Sequence, residues 1–158
     1  MMPGICLREF RAEDLEAVKG MIDETIGVSY SEFPMEYRKH LMERHHSREH
    51  ISNEARQGYT VVLEQEGRII GTGTLLGDNI QRIYVHPSRQ RKGFGKLIMR
   101  ELENSASARG INVLFLESTS VSKGFYDVLS YRTLEEASFS IGSERKFSYY
   151  KMSKSINV

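Results

Sequence analysis

Cysteine occurs once, at Cys6, so the chain can form neither an intrachain disulfide nor a cysteine-built metal cluster. Such usage suits a reducing compartment. Tryptophan is absent, and the three prolines, Pro3, Pro34 and Pro87, belong to no linker-like cluster. No repeat or low-complexity tract divides the sequence, and residues 1–158 read as a single domain. No apolar run approaches the ~18 residues of a membrane span. The opening Met1-Met2-Pro3-Gly4-Ile5-Cys6 lacks the basic-then-apolar form of a signal peptide. Neither sign of charge dominates: 22 Lys and Arg stand against 21 Asp and Glu, a net charge of +1. No global field therefore draws the protein onto nucleic acid or a membrane surface. What is present, 39% apolar and 27% charged residues, supports a packed core. A cytoplasmic protein is expected.

Periodicity supplies the elements. Ile5 to Phe10 alternates as a half-buried strand, and Leu15, Val18, Ile22 and Ile26 recur at helical spacing. Ser31 to Arg56 is polar and helical, with Tyr37, Leu41 and Ile51 as sparse anchors. Tyr59 to Glu64 and Ile69 to Leu76 form a hairpin about Glu66-Gly67, and a third strand runs from Ile80 to His86 until Pro87 stops it. A helix is expected from about Gly93 to Arg109, with Gly110 ending it. Val113 to Leu116 is a continuous apolar strand, which suggests burial on both faces. A short helix over Val121 to Leu129 precedes strands near Tyr131 to Phe139 and Phe147 to Met152. The class is α/β (α+β), a sheet with helices on its faces. Cys6, in the first strand, is expected to be buried and inert.

The chemistry concentrates between Ile83 and Lys96. A strand runs into a basic glycine-containing loop and then a helix start. Arg89, Arg91, Lys92 and Lys96 stand there with no acid among them. A helix start offers unpaired N–H groups and partial positive charge, and Gly93 and Gly95 let backbone approach an anion. A phosphate or pyrophosphate fits. The loop is not a Walker A loop, because Gln90 stands where that motif needs glycine and Leu97 where it needs Ser or Thr. It is not a dinucleotide fingerprint either, because Ile98 occupies the third small position.

The spacing Gln90-x-x-Gly93-x-Gly95 resembles the pyrophosphate loop of the GNAT superfamily of acyl-CoA N-acyltransferases. Ile83-x-Val85-x-Pro87 before the loop and Leu97-Ile98 after it align with that family without a gap. Ile5-x-Leu7-Arg8 with Asp14, Gly71-Thr72-Gly73, Phe125-Tyr126-Asp127 and Tyr149 to Lys154 extend the likeness over most of the chain. The resemblance implies a mixed, mostly antiparallel sheet splayed between its fourth and fifth strands, with helices on both faces. It implies acetyl-CoA as co-substrate, held by Ile83, Tyr84, Val85, Gln90, Arg91, Lys92, Gly93, Phe94, Gly95, Lys96 and Tyr126. It implies an amine acceptor near Tyr30, Phe33, Tyr37 and the last strand, attacking directly in a ternary complex, and it admits a homodimer. Tyr126 stands at the family's general-acid tyrosine, and the Val85 N–H is the expected oxyanion donor.

The sequence also departs from the family. Ser130-Tyr131 replaces the usual Gly-Phe, and the asparagine that often holds pantetheine is missing, with Thr119 or Ser122 as substitutes. The fourth strand carries Asn79, Gln81 and Arg82 in place of a carboxylate base. Glu117 is then the candidate base, beside a water relay or an already neutral amine. The missing carboxylate leaves a non-catalytic acyl-CoA-sensing domain as the alternative. No metal is expected. His40, His45, His46 and His50, interleaved with Arg38, Lys39, Arg44 and Arg48, read as a solvated helix face.

Overall fold

Val61, Val62 and Leu63 are successive residues of one strand, and none is accessible to solvent. Side chains alternate across a strand, so both faces of the sheet must be covered here. Val61 and Leu63 enter one core with Ile98, Leu102, Leu114 and Met152. Val62 enters another with Val18, Ile22, Ile26 and Ile51.

The structure is a computed structural model that describes residues 4–141 and 145–157. Met1 to Pro3, part of the stretch read for a signal peptide, lie outside the described residues. The strands are β1 (Ile5–Glu9), β2 (Tyr59–Gln65), β3 (Arg68–Leu76), β4 (Asn79–Val85), β5 (Val113–Thr119), β6 (Arg132–Ile141) and β7 (Arg145–Ser155). The helices are α1 (Leu15–Ser29), α2 (Met35–His40), α3 (Arg48–Gln57), α4 (Phe94–Ala108) and α5 (Lys123–Val128). One seven-stranded sheet has the order β1-β2-β3-β4-β5-β7-β6. Among the described residues only β4 and β5 run parallel, and they pair at a single position, Asn79 opposite Phe115. The mixed, splayed sheet implied by the motifs is therefore the observed one. Among the described residues no helix is long and apolar enough to cross a membrane.

Three local expectations are corrected. The polar helical region is not one helix: α2 runs into a π-helical turn at Leu41–His45, and α3 starts afresh where the Ser47 hydroxyl accepts the His50 N–H. Val113 to Leu116 is not buried on both faces, because Phe115 is 37% exposed. Helices α1 and α3 cover β2, β3 and β4 and stop short of β5. Cys6 is exposed, since β1 is an edge strand that turns Ile5 and Leu7 to the core and Cys6 outward.

The glycines of β3 set how close α4 lies. A Cβ on Gly73 would stand 2.6 Å from Ile83 Cδ1 and 2.7 Å from Ile98 Cγ2. Gly73→Val should therefore overpack the sheet–helix interface and cost ~1–3 kcal/mol of stability. A lowered urea midpoint at constant slope is the expected reading, and an unchanged midpoint would mean that α4 has room to move.

Candidate functional site

Beyond Asn79 the edge of β4 that faces β5 has no strand partner. Tyr84 lies opposite Thr72, and the His86 N–H bonds the Ile70 carbonyl at 2.8 Å. Backbone groups of successive strand residues point to opposite sides, so the Val85 N–H faces the open side. Its carbonyl accepts the Gln90 side-chain amide at 2.9 Å. Tyr84 does not present its backbone to the gap. It pairs with β3, and its side chain turns into the α1–α3 core. Ile83 sits beside a register shift opposite Gly73, next to Arg82 with φ +58°. The gap widens into a cavity of about 860 Å³ between β4 and β5, whose wall includes Ile83, Tyr84, Glu117, Thr119, Ser122 and Tyr126.

The basic loop follows the same edge. Arg91 at φ +61° and Gly93 at φ +86° are both left-handed, and α4 begins directly after them. The first helical bond runs from the Leu97 N–H to the Gly93 carbonyl. The N–H groups of Phe94, Gly95 and Lys96 are thus without helical acceptors and cluster at the positive end of α4. The two glycines divide their roles. Gly93 faces open space and is needed for its backbone angle, whereas a Cβ on Gly95 would stand 3.0 Å from the Phe125 ring. The Phe94 side chain is in the core, leaving only its backbone for a ligand. Arg91, Lys92 and Lys96 are exposed and make no ion pair among the described residues. Arg89 is diverted, its Nε donating to Gln65 at 2.7 Å.

Tyr126 is 7% exposed and lies in the cavity wall. Burial, with a smaller contribution from Tyr30, pushes its hydroxyl well above the ordinary phenol range. Glu117 is exposed on β5 and lines the same cavity, so the two candidate catalytic groups share one space. His86 is tied to structure, with Nε2 3.1 Å from Glu24 and Nδ1 accepting the Ser88 N–H. Thr119 Oγ1 is buried without a partner. Rings of Tyr30, Phe33, Tyr37, Phe139 and Phe147 pack with centroids 4.9–5.5 Å apart, tilted except for the stacked Tyr37–Phe139 pair, and join the α1–α2 region to the β6–β7 hairpin.

Sequence reasoning missed a buried polar chain. His46 is not on a solvated face but 8% exposed. Its Nδ1 accepts the Arg82 Nε–H at 3.0 Å, so its Nε2 carries the proton and donates to the Tyr84 hydroxyl at 2.9 Å. Burial first, then Arg82, depresses its basicity well below the usual range, so the ring stays neutral. Arg82 also forms an ion pair with Glu54 and donates to the His45 carbonyl at 2.9 Å. The Arg82 and Glu54 side chains are 6% and 19% exposed. Arg82→Met should strand the Glu54 charge and cost about 3 kcal/mol. Adding Glu54→Gln should restore part of that loss in a denaturation-based double-mutant cycle, whereas simple additivity would mean that the pair contributes nothing.

Several solved structures share the fold. A GCN5-related N-acetyltransferase from Rhodopseudomonas palustris is 22% identical, with 98% of each chain covered and a TM-score of 0.87. The PaiA N-acetyltransferase from Thermoplasma acidophilum, solved with coenzyme A, is 21% identical over 96% of this chain and 98% of its own, with a TM-score of 0.79. YncA from Salmonella typhimurium, a putative acetyltransferase solved with acetyl-CoA, is 17% identical over 98% and 95%, with a TM-score of 0.73. No curated protein matches the chain. The family model of the acetyltransferase (GNAT) domain matches residues 12–155, and by that match the chain belongs to the GNAT acetyltransferase family.

Proposed function

We propose that the protein transfers the acetyl group of acetyl-CoA to a primary amine by direct attack in a ternary complex. The observation that carries this reading is the unpaired edge of β4 leading without interruption into the left-handed loop and the open N–H groups of α4. The N–H groups of Phe94, Gly95 and Lys96 hold the pyrophosphate, with Arg91, Lys92 and Lys96 adding charge. The open edge of β4 and the orphaned Thr119 hydroxyl supply partners for the amide-rich pantetheine arm, as an added strand would. The coenzyme A and acetyl-CoA complexes among the fold relatives agree with this ligand.

In the transfer the amine nitrogen bonds to the thioester carbon, the C–S bond breaks, nitrogen loses a proton and sulfur gains one. Amine attack places negative charge on the carbonyl oxygen, which the Val85 N–H stabilises. Tyr126 gives its proton to sulfur. Its raised pKa keeps it protonated throughout the neutral range, so the proton is in place when C–S cleavage builds charge on sulfur. Glu117, in the same cavity, receives the amine and takes its proton directly or through water. CoA release from acetyl-CoA across an amine panel tests the reading. Tight acetyl-CoA binding without release across a broad panel of amines and peptides would make the domain a sensor of acyl-CoA.

A further inference from the structure

A second cavity, of about 450 Å³, adjoins the first and shares His40, His45, His46, Gln81 and Arg82 with it. Its character differs. Glu54 is the one carboxylate in its lining, and that charge is already matched by Arg82. Arg44 is exposed in the same lining and pairs with no acid among the described residues. His40, His45 and His50 add ring N–H donors. The side-chain amide of Gln81 is buried there with Nε2 unpartnered. A buried amide N–H without a protein acceptor is an exception that a ligand or water oxygen would satisfy. The main cavity has the opposite bias, since its lining adds the carboxylates Glu36 and Glu117 beside Tyr126. One end of the combined space suits an ammonium group and the other suits an anion.

From this juxtaposition we infer that the acceptor is an amine bearing an anionic group, carboxylate or phosphate, with the anion held by Arg44, Gln81 and the histidine rings. The inference rests on the transferase reading and narrows it to a substrate class. The amine points toward Glu117 and Tyr126. The anion supplies the acceptor that Gln81 lacks and the counter-charge that Arg44 lacks. The π-helical turn at Leu41–His45 builds the arrangement, since it brings His45 to the cavity wall while Arg82 clamps the following His46 inward.

The test is kcat/KM for CoA release with matched acceptors. One pair is 6-aminohexanoate against hexylamine, and the other is 3-aminopropyl phosphate against propylamine. Within the first pair the ammonium groups are of similar basicity, so the fraction of nucleophilic amine is comparable. The anionic member should be preferred by at least about tenfold, the effect of one charge-assisted contact, and the pair with the larger ratio identifies the anion. Arg44→Ala and Gln81→Leu should each lower that ratio, which is independent of the fraction of enzyme folded. A ratio near or below one in the unmodified protein in both pairs overturns the inference and leaves the transferase standing. A ratio that both variants preserve overturns the assignment of the anion to this cavity. No CoA release with any of the four amines, in a protein that binds acetyl-CoA, overturns the inference, and the broad panel of amines and peptides then decides the transferase reading separately.

Discussion

Tyr126→Phe is expected to lower kcat for CoA release by ~10²–10⁴, the usual contribution of a positioned acid, while acetyl-CoA affinity changes little. The substitution removes one hydroxyl and keeps the ring that packs beside Phe125 and Tyr131. Because the Tyr126 hydroxyl makes no protein hydrogen bond among those found for the described residues, the variant should fold and melt close to the unmodified protein. The ligand-binding loop lies on a different element, so a calorimetric titration with acetyl-CoA separates the two roles. A kcat unchanged under conditions where chemistry limits turnover would remove Tyr126 as the acid. Affinity and rate falling together would make it a packing residue for the pantetheine arm. The pH profile adds an independent check. A group raised above the ordinary phenol range stays protonated through neutrality, so Tyr126 itself should introduce no loss of activity between pH 6 and the usual tyrosine pKa of ~10.

The strand–loop–helix from Ile83 to Ile98 was legible because its information is local. A left-handed glycine, a helix start and a proline that ends a strand all act within a few residues of themselves. The splay was legible only through the resemblance, since nothing in β5 states that it will pair with β4 at one residue. The histidine run failed for a physical reason. A single solvated face assumes one α-helical phase from His40 to His50, whereas the π-helical turn at Leu41–His45 changes that phase and delivers His46 to the interior. Its partners, Arg82 and Tyr84, stand 36 and 38 residues away, and Arg82 reaches it from a left-handed position in β4. No window of sequence contains that contact. Phe115 and Cys6 failed similarly. An apolar residue on a strand says that one face could be covered, but where α1 and α3 end decides whether it is.

Gly93→Glu should abolish detectable acetyl-CoA binding while leaving the protein folded, and Gly93→Ala should weaken it only modestly. Gly93 has φ +86°, and nothing lies within 4 Å of the position its Cβ would take. A Cβ there meets backbone strain of ~1–2 kcal/mol and no steric clash. Alanine incurs that cost alone. Glutamate incurs it too, but its carboxylate at the start of α4 is itself favourable to the helix dipole, so the fold tolerates the change. The same favourable position is what makes it a competitor: it sets a negative charge against the N–H groups of Phe94, Gly95 and Lys96, where the pyrophosphate must approach. Arg91 and Lys92 beside it would be partly neutralised as well. Isothermal titration with acetyl-CoA at low salt distinguishes the causes. Equal losses in the two variants would assign the role to backbone angle alone. A folded Gly93→Glu protein with undiminished affinity would mean that the phosphates bind elsewhere.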